Sequence, residues 1–281
     1  MAKQTMSNVK TQEVVNTKTF PELLQQRSII NRFESMLGDN SGTFLGALLT
    51  VYNNNSAFKN CDPRTILSAA TMAASLRLPI TPSLGYAYII PYGKSATFQV
   101  GYKGFIQLAM RSNQYRKLNA GKVFEGQIKE IDFITGDVIR GEKISDRVIG
   151  YIAYMELING FNKTLYMTLD EIEQHAKKYS QGYSSGKGSV WKSDFDKMAM
   201  KTVMKLLISR YGIVSIDSKF TDMARALAAD QGRINPDGTV TYVDNKNDTV
   251  SIPFESSVPF ETANIDDLGD NSISEESTDK T

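Results

Sequence analysis

Between Gly85 and Lys117 the spacing of apolar positions changes period from strand to helix. Tyr86, Tyr88 and Ile90 alternate with Ala87, Ile89 and Pro91, the pattern of a strand buried on at least one face. Pro91, Gly93 and the polar residues around them predict a turn, and Ser95 to Val100 alternates again. From Gly101 the period is helical. Tyr102, Phe105, Ile106, Ala109 and Met110 fall on one face, while Lys103, Gln107 and Arg111, at i, i+4 and i+8, form a stripe on the polar side. Arg116 and Lys117 follow, at the start of another strand. A hairpin and a helix therefore set a row of cations and an amide above an aromatic core.

Residues 1–18 are polar and are expected to be disordered. Thr19-Phe20-Pro21-Glu22 is a capping box that opens a helix through Ile29, Ile30 and Phe33, ending near Gly38. A second helical stretch runs from Thr43 to Tyr52. Asp62-Pro63 starts a third, with Asp as N-cap and Pro in the first turn. Its small residues, Ala69, Ala70, Ala73 and Ala74, suit either a helix packed in the core or a subunit contact. Strand-like runs follow at Leu118–Phe124, Ile128–Ile134, Arg147–Leu157 and Thr164–Met167, with a hairpin tip at Gly160–Asn162. A capping box at Thr168–Glu171 opens a helix to Tyr179. Ser180–Ser189, with Gly182, Gly186 and Gly188 around Lys187, is expected to be a flexible loop. Helices are expected over Val190–Tyr211 and Ser218–Gln231, and no stable fold beyond Gly232. Strands grouped between helical blocks predict an α+β fold: an antiparallel sheet with helices packed before and after it. The strands do not alternate with long helices, which argues against a Rossmann-type sheet. The expected divisions are a disordered 1–18, a core of 19–232 and an acidic, disordered 233–281.

The Val190–Tyr211 helix repeats the central design. Phe195, Ala199, Val203, Leu206 and Leu207 share one face, and Lys197, Lys201 and Lys205 share the opposite one. These lysines repel one another, and either a polyanion or solvent and salt would relieve the repulsion. Lys187 and Lys192 flank the helix start and Arg210 ends it. The loop before it either closes over a phosphate with backbone N–H groups or is a mobile linker.

Charge adds contrast. The 281-residue chain carries a net +1, but residues 234–281 hold 11 acidic and 2 basic side chains, so the body is basic and the tail acidic. A basic body fits a polyanion partner or simply a solvated surface. The single cysteine, Cys61, excludes an intrachain disulfide and a Cys-rich zinc site. With no apolar leader in the first residues and no membrane-length apolar run, a soluble, cytoplasmic protein is expected.

Catalytic chemistry is missing from the pattern. The lone histidine, His175, is expected on a solvated helix face. Gly93-Lys94-Ser95 ends like a phosphate-binding loop, but position 88, where the first glycine belongs, is Tyr88. Gly182 to Lys187 has the wrong glycine spacing and lacks the following Ser or Thr. Neither Asp170 with Glu171 nor Asp194 with Asp196 forms a two-metal pattern. No enzyme activity, ATP hydrolysis or cofactor is expected.

Four segments, Ala69–Leu78 (AATMAASLRL), Gly85–Gly93 (GYAYIIPYG), Phe98–Arg111 (FQVGYKGFIQLAMR) and Trp191–Arg210 (WKSDFDKMAMKTVMKLLISR), resemble in order and spacing the RecT/Redβ family of phage-type single-strand DNA annealing proteins. The resemblance covers roughly residues 60–230. It implies ATP-independent annealing in homologous recombination, assembly into rings or helical filaments, and partnership with a phage-type 5′–3′ exonuclease. It leaves a role for Mg²⁺ open. The expected DNA-binding residues are Lys103, Gln107, Arg111, Arg116, Lys117, Lys187, Lys192, Lys197, Lys201, Lys205 and Arg210, holding single-stranded DNA and the annealed duplex along a basic groove shared by adjacent subunits. The tail repeat Ile252-Pro-Phe-Glu-Ser-Ser and Val258-Pro-Phe-Glu-Thr suits either docking of the exonuclease or a host single-strand binding protein, or a solubilising tail. The competing reading is an oligomeric RNA- or duplex-DNA-binding structural protein; a small-molecule enzyme would need pocket chemistry the sequence does not display.

Overall fold

Helices lead the chain, and their starts follow the caps. In the computed structural model, which describes residues 19–132, 134–185, 190–213, 218–235, 239–242 and 249–251, the Thr19 N–H donates to the Glu22 carboxylate at 2.8 Å. The expected first helix is two, α1 (Phe20–Leu24) and α2 (Arg27–Leu37), followed by α3 (Ser41–Asn53) and α4 (Pro63–Ser75). Asp62 caps α4 by accepting from the Arg64 N–H at 2.9 Å. Ala69, Ala70, Ala73 and Ala74 are wholly buried in the chain's own core, which settles their role as packing residues. Residues 1–18, the loop 186–189 with Lys187, and the tail repeat lie outside the described residues.

The hairpin of β1 (Ala87–Tyr92) and β2 (Ser95–Val100) turns at Gly93, whose φ of +59° is reached most readily by glycine. Helix α5 (Tyr102–Arg111) follows, then β3 (Tyr115–Phe124), β4 (Ile128–Ile131), β5 (Val138–Arg140), β6 (Val148–Leu157) and β7 (Asn162–Thr168). On α5 the buried stripe includes Leu108, while Met110 is 55% exposed, so the core face is rotated from the expected one. Next come α6 (Leu169–Tyr179), capped by reciprocal Thr168–Glu171 bonds, α7 (Gln181–Ser184), α8 (Val190–Ser193), α9 (Phe195–Tyr211) and α10 (Ser218–Ala229). The expected long helix is broken at Asp194, whose non-helical φ of −149° and ψ of 61° separate α8 from α9.

The chain then continues as β8 (Gly232–Ile234), β9 (Thr239–Tyr242) and β10 (Thr249–Ser251), correcting the expectation of no fold beyond Gly232. Each of these strands is three or four residues long and gains stability only by adding to an existing edge. The edge is β2, through Phe98 opposite Gly232, with Ile234 and Val240 buried.

The α+β fold is as expected, but its strands are divided. Among the described residues one antiparallel sheet has the order β1-β2-β8-β9-β10, a second β3-β6-β7, and β4 pairs only with β5. Two apolar clusters follow from this. The first joins α1–α5, the five-stranded sheet and α10. The second lies between β6, α6, Trp191 and α9. Helix α9 serves both, giving Met204 and Ile208 to the first and Met198, Ala199, Val203 and Leu207 to the second.

Glycines set the approach of α5 to β1. A Cβ on Gly101 would stand 2.1 Å from the Gly85 carbonyl oxygen, and one on Gly104 2.2 Å from that of Tyr86. Both obstacles are backbone and cannot rotate away. Gly104→Ala is therefore expected to cost about 2 kcal/mol or more, measured by denaturant unfolding; an unchanged midpoint would contradict this close approach.

Candidate nucleic-acid interface

The three-stranded sheet has one covered face and one open face, because side chains alternate across it. Leu118, Ala120, Tyr151, Ala153 and Met155 turn toward α9 and α6. The other phase of the alternation forms two cross-strand rows on the opposite face: Lys117–Glu156–Asn162 and Asn119–Tyr154–Thr164. The β4–β5 hairpin walls this face on one side with Ile128, Val138 and Arg140, and α5 walls it on the other with Ile106, Ala109 and Met110. The result is an open groove of about 1130 Å³. Lys163 ties the hairpin tip to β7 by donating to the Thr135 carbonyl.

Arg116 and Lys117 line this groove and remain well exposed, although both pair with Glu156, at 3.1 and 3.0 Å. Arg140, exposed on the hairpin wall, contributes charge near Tyr154. Lys122 also lines the groove, but its ammonium pairs with Asp196 of α9. Helix-stripe reasoning does not find Arg140, Asn119, Tyr154, Asn162 and Thr164. For Asn119 and Tyr154 the signal is the polar phase of β3 and β6, where Lys117 and Asn119, then Tyr154 and Glu156, fall two residues apart; Asn162, Thr164 and Arg140 join through the pairing of β7 and the placement of β5.

The remaining expected residues are dispersed. Lys103 is exposed on α5, near Tyr88 and the space above Gly85. Lys197 pairs with Asp194 and acts on Tyr88 and Tyr102, so it belongs to the same neighbourhood as Lys103 and is distinct from the groove lining. Gln107 is half-buried on α5. Lys192 lies beside Trp191 and Phe195 in a shallow second cleft, and Arg210 is exposed at the end of α9.

Three of the expected cations have structural partners that correct the sequence expectation. Arg111 caps the end of α4, donating to the carbonyls of Leu76 at 2.5 Å and Arg77 at 2.8 Å. Lys201 is only 4% exposed and its ammonium lies 2.7 Å from Asp230, while Lys205 reaches the other carboxylate oxygen at 2.8 Å. The Val100 N–H donates to Asp230 as well, at 2.9 Å. Lys201 and Lys205 turn toward the interior because α9 is packed on both sides, and a carboxylate distant in sequence relieves their repulsion, while Lys197, one turn earlier, stays exposed. Burial pushes Lys201 down to about 8, with Asp230 opposing the shift, so the ammonium stays charged at neutral pH. Burial works against the Asp230 carboxylate, but Lys201 and Lys205 hold it below the usual range.

His175 is half-buried rather than solvated, its ring centroid 4.5 Å from that of Tyr179. Burial, then the charges of Lys205 and Lys178, pushes it from 6.5 to about 4. Cys61 is buried, with its thiol near the Ala57 and Gly93 carbonyls, which gives it no exposed nucleophilic role. Gly93-Lys94-Ser95 forms a strand-to-strand turn instead of opening a helix, unlike a phosphate-binding loop. Among the described residues no group of acidic, His and Cys side chains has the arrangement of a metal site, and no helix is long and apolar enough to cross a membrane.

The geometry defines an α+β protein with an open, cation-edged groove. The RecT family profile matches residues 42–242, and the chain belongs to the RecT family, a family of DNA-recombination proteins of the single-strand annealing type. The protein YqaK of Bacillus subtilis (strain 168) is 45% identical over 201 residues, 71% of this chain and 69% of YqaK. Protein RecT of Escherichia coli (strain K12) is 30% identical over 186 residues, 62% of this chain and 65% of RecT. The matched region contains the whole groove and the Asp230 cluster.

Two stability outcomes follow. Asp230→Asn leaves two cations short of a counter-charge and is expected to cost about 3–5 kcal/mol. Lys201→Met is expected to cost less, because Asp230 keeps Lys205 and the Val100 amide; chemical denaturation of both variants measures the ranking, and the reverse order would contradict it. For His175 the folded pKa lies below the unfolded one, so its contribution is present above pH 6.5 and is lost as the pH falls toward about 4. His175→Gln is expected to flatten the decline in melting temperature across that window.

Proposed function

We propose that the chain anneals complementary single strands of DNA without ATP, holding them by their phosphates along the open face of the β3-β6-β7 sheet. The observation that carries this reading is the groove itself: cations on Arg116, Lys117 and Arg140 stand around a floor of Asn119, Tyr154, Asn162 and Thr164. Cations and neutral donors hold a backbone without regard to sequence. A protein that pairs strands has to leave their Watson–Crick edges free, and binding through phosphate does so. Tyr154 adds a ring on which a base can rest without being read.

Grooves of adjacent subunits joined end to end would hold two extended strands while matching bases pair, which is the role of a ring or filament. The failure of both Gly/Lys segments as nucleotide loops supports independence from ATP. The tail repeat supports recruitment of a phage-type exonuclease or a host single-strand binding protein, with its phenylalanines as anchors in an acidic context.

The test is ATP-free annealing of two labelled complementary oligonucleotides across a salt series, with Arg116→Gln/Lys117→Gln/Arg140→Gln beside the unaltered protein. The triple variant is expected to anneal at least about tenfold more slowly, and its binding slope against salt is expected to be shallower by about 0.7 for each phosphate that is no longer neutralised. Equal annealing by the variant would remove the groove from the mechanism, and preference for RNA or duplex over single-stranded DNA would favour a structural nucleic-acid-binding role. Because strands continue to Ser251, a tail deletion has to start at residue 252. It is expected to preserve annealing and weaken exonuclease recruitment; loss of annealing would contradict that division.

A further inference from the structure

A carboxylate stands among the groups assigned to phosphate. Glu156 Oε1 accepts from Arg116 Nη1 at 3.1 Å, and Oε2 lies 3.0 Å from Lys117 Nζ and accepts from the Tyr154 hydroxyl at 3.2 Å. The two cationic side chains are 58% and 63% exposed, whereas that of Glu156 is 14% exposed. The carboxylate therefore sits beneath its partners, in the middle strand of the sheet, with Lys117 and Asn162 beside it in the same row. Two cations and a hydroxyl converging on two anionic oxygens is the donor set that two oxygens of a phosphodiester would use. A salt bridge with such exposed cations adds little to stability, so folding alone gives weak reason for the arrangement.

We propose that Glu156 is a resident competitor for the DNA phosphate, setting how tightly the groove holds a strand and how fast it lets go. This rests on the groove reading above. When a strand arrives, Arg116 and Lys117 turn from Glu156 to the phosphate, a change of rotamer in two long, exposed side chains. When the phosphate leaves, both return to the carboxylate, so neither cation waits without a counter-charge. Exchange of one anion for another lowers the cost of releasing each phosphate. Annealing depends on that exchange, because strands that meet out of register have to release and shift before they pair. Hydrogen bonding from Lys117, ahead of the opposing effect of burial, holds Glu156 below the usual carboxylate range, so the competitor is charged at neutral pH.

The test uses Glu156→Gln in the full-length protein, which keeps the shape and removes the charge. Glu125→Gln serves as the matched control: Glu125 also pairs with an arginine, Arg147, at 2.7 Å, but does not line the groove. Binding of an oligo-dT is read by fluorescence anisotropy, its release by stopped flow, and annealing with oligonucleotides that must shift register. Glu156→Gln is expected to bind on the order of tenfold more tightly, as removal of a like charge beside a phosphate dictates, to release the strand more slowly and to anneal the register-shifted pair more slowly. Glu125→Gln is expected to match the unaltered protein. Weaker binding by Glu156→Gln, with an unchanged melting temperature, would show that Glu156 orients the cations and would overturn the proposal. Unchanged binding, or an equal gain in the control, would overturn it too. If Glu156→Gln has no effect while Arg116→Gln/Lys117→Gln/Arg140→Gln loses binding, only this inference fails; if the triple variant also binds normally, the groove reading fails with it.

Discussion

Asp230 holds the two halves of the core in register. Its carboxylate is fully buried and meets Lys201, Lys205 and the Val100 amide, so the end of α10, the middle of α9 and the last residue of β2 are joined at one point. Buried charges persist only when paired and hydrogen-bonded, and this one is satisfied from three directions. With that point fixed, α9 can bury Met204 and Ile208 on one side and Val203 and Leu207 on the other. The edge of β2 is also brought to β8, since Gln231, next in the chain, donates to the Phe98 carbonyl at 2.9 Å.

That constraint decides which cations the fold itself uses. A helix packed on both sides cannot offer its central lysines to solvent, so the Lys201 and Lys205 charges serve the fold. Among the described residues no helix covers the polar phase of β3, β6 and β7, and this is the face on which we propose a strand is held. The β4–β5 hairpin, a two-stranded sheet of its own, raises one wall, and α5 raises the other. Arg116 and Lys117 share the Glu156 carboxylate beneath them and stay largely exposed.

The sequence and the structure agree where local rules are strong. The capping boxes at Thr19 and Thr168, the Asp62 cap, the Gly93 turn and the alternation of β6 all lie where residue types require them. Amphipathic periodicity fails at α9. Lys197, Lys201 and Lys205 are evenly spaced, but a lysine stripe facing solvent and one facing a distant aspartate have the same spacing. Asp230 is 29 residues from Lys201, and only tertiary structure reveals the pair. The groove is half legible: Arg116 and Lys117 stand out as a continuation of the helix stripe, whereas Asn119, Tyr154 and Arg140 join them through strand register and hairpin placement. The short strands after Gly232 escape a reading of the sequence because their stability comes from the edge of β2, not from their own composition.

Lysine footprinting tests the placement of the strand most directly, because two lysines of matched exposure lie on different surfaces. Lys117 is 63% exposed in the groove and Lys197 is 62% exposed beside Tyr88 and Tyr102. Acetylation of the protein with and without saturating oligo-dT, read residue by residue by mass spectrometry, is expected to show strong protection of Lys117 and little change at Lys197. Protection of Lys197 with Lys117 still reactive would place the strand along the start of α9 and contradict the sheet-face groove.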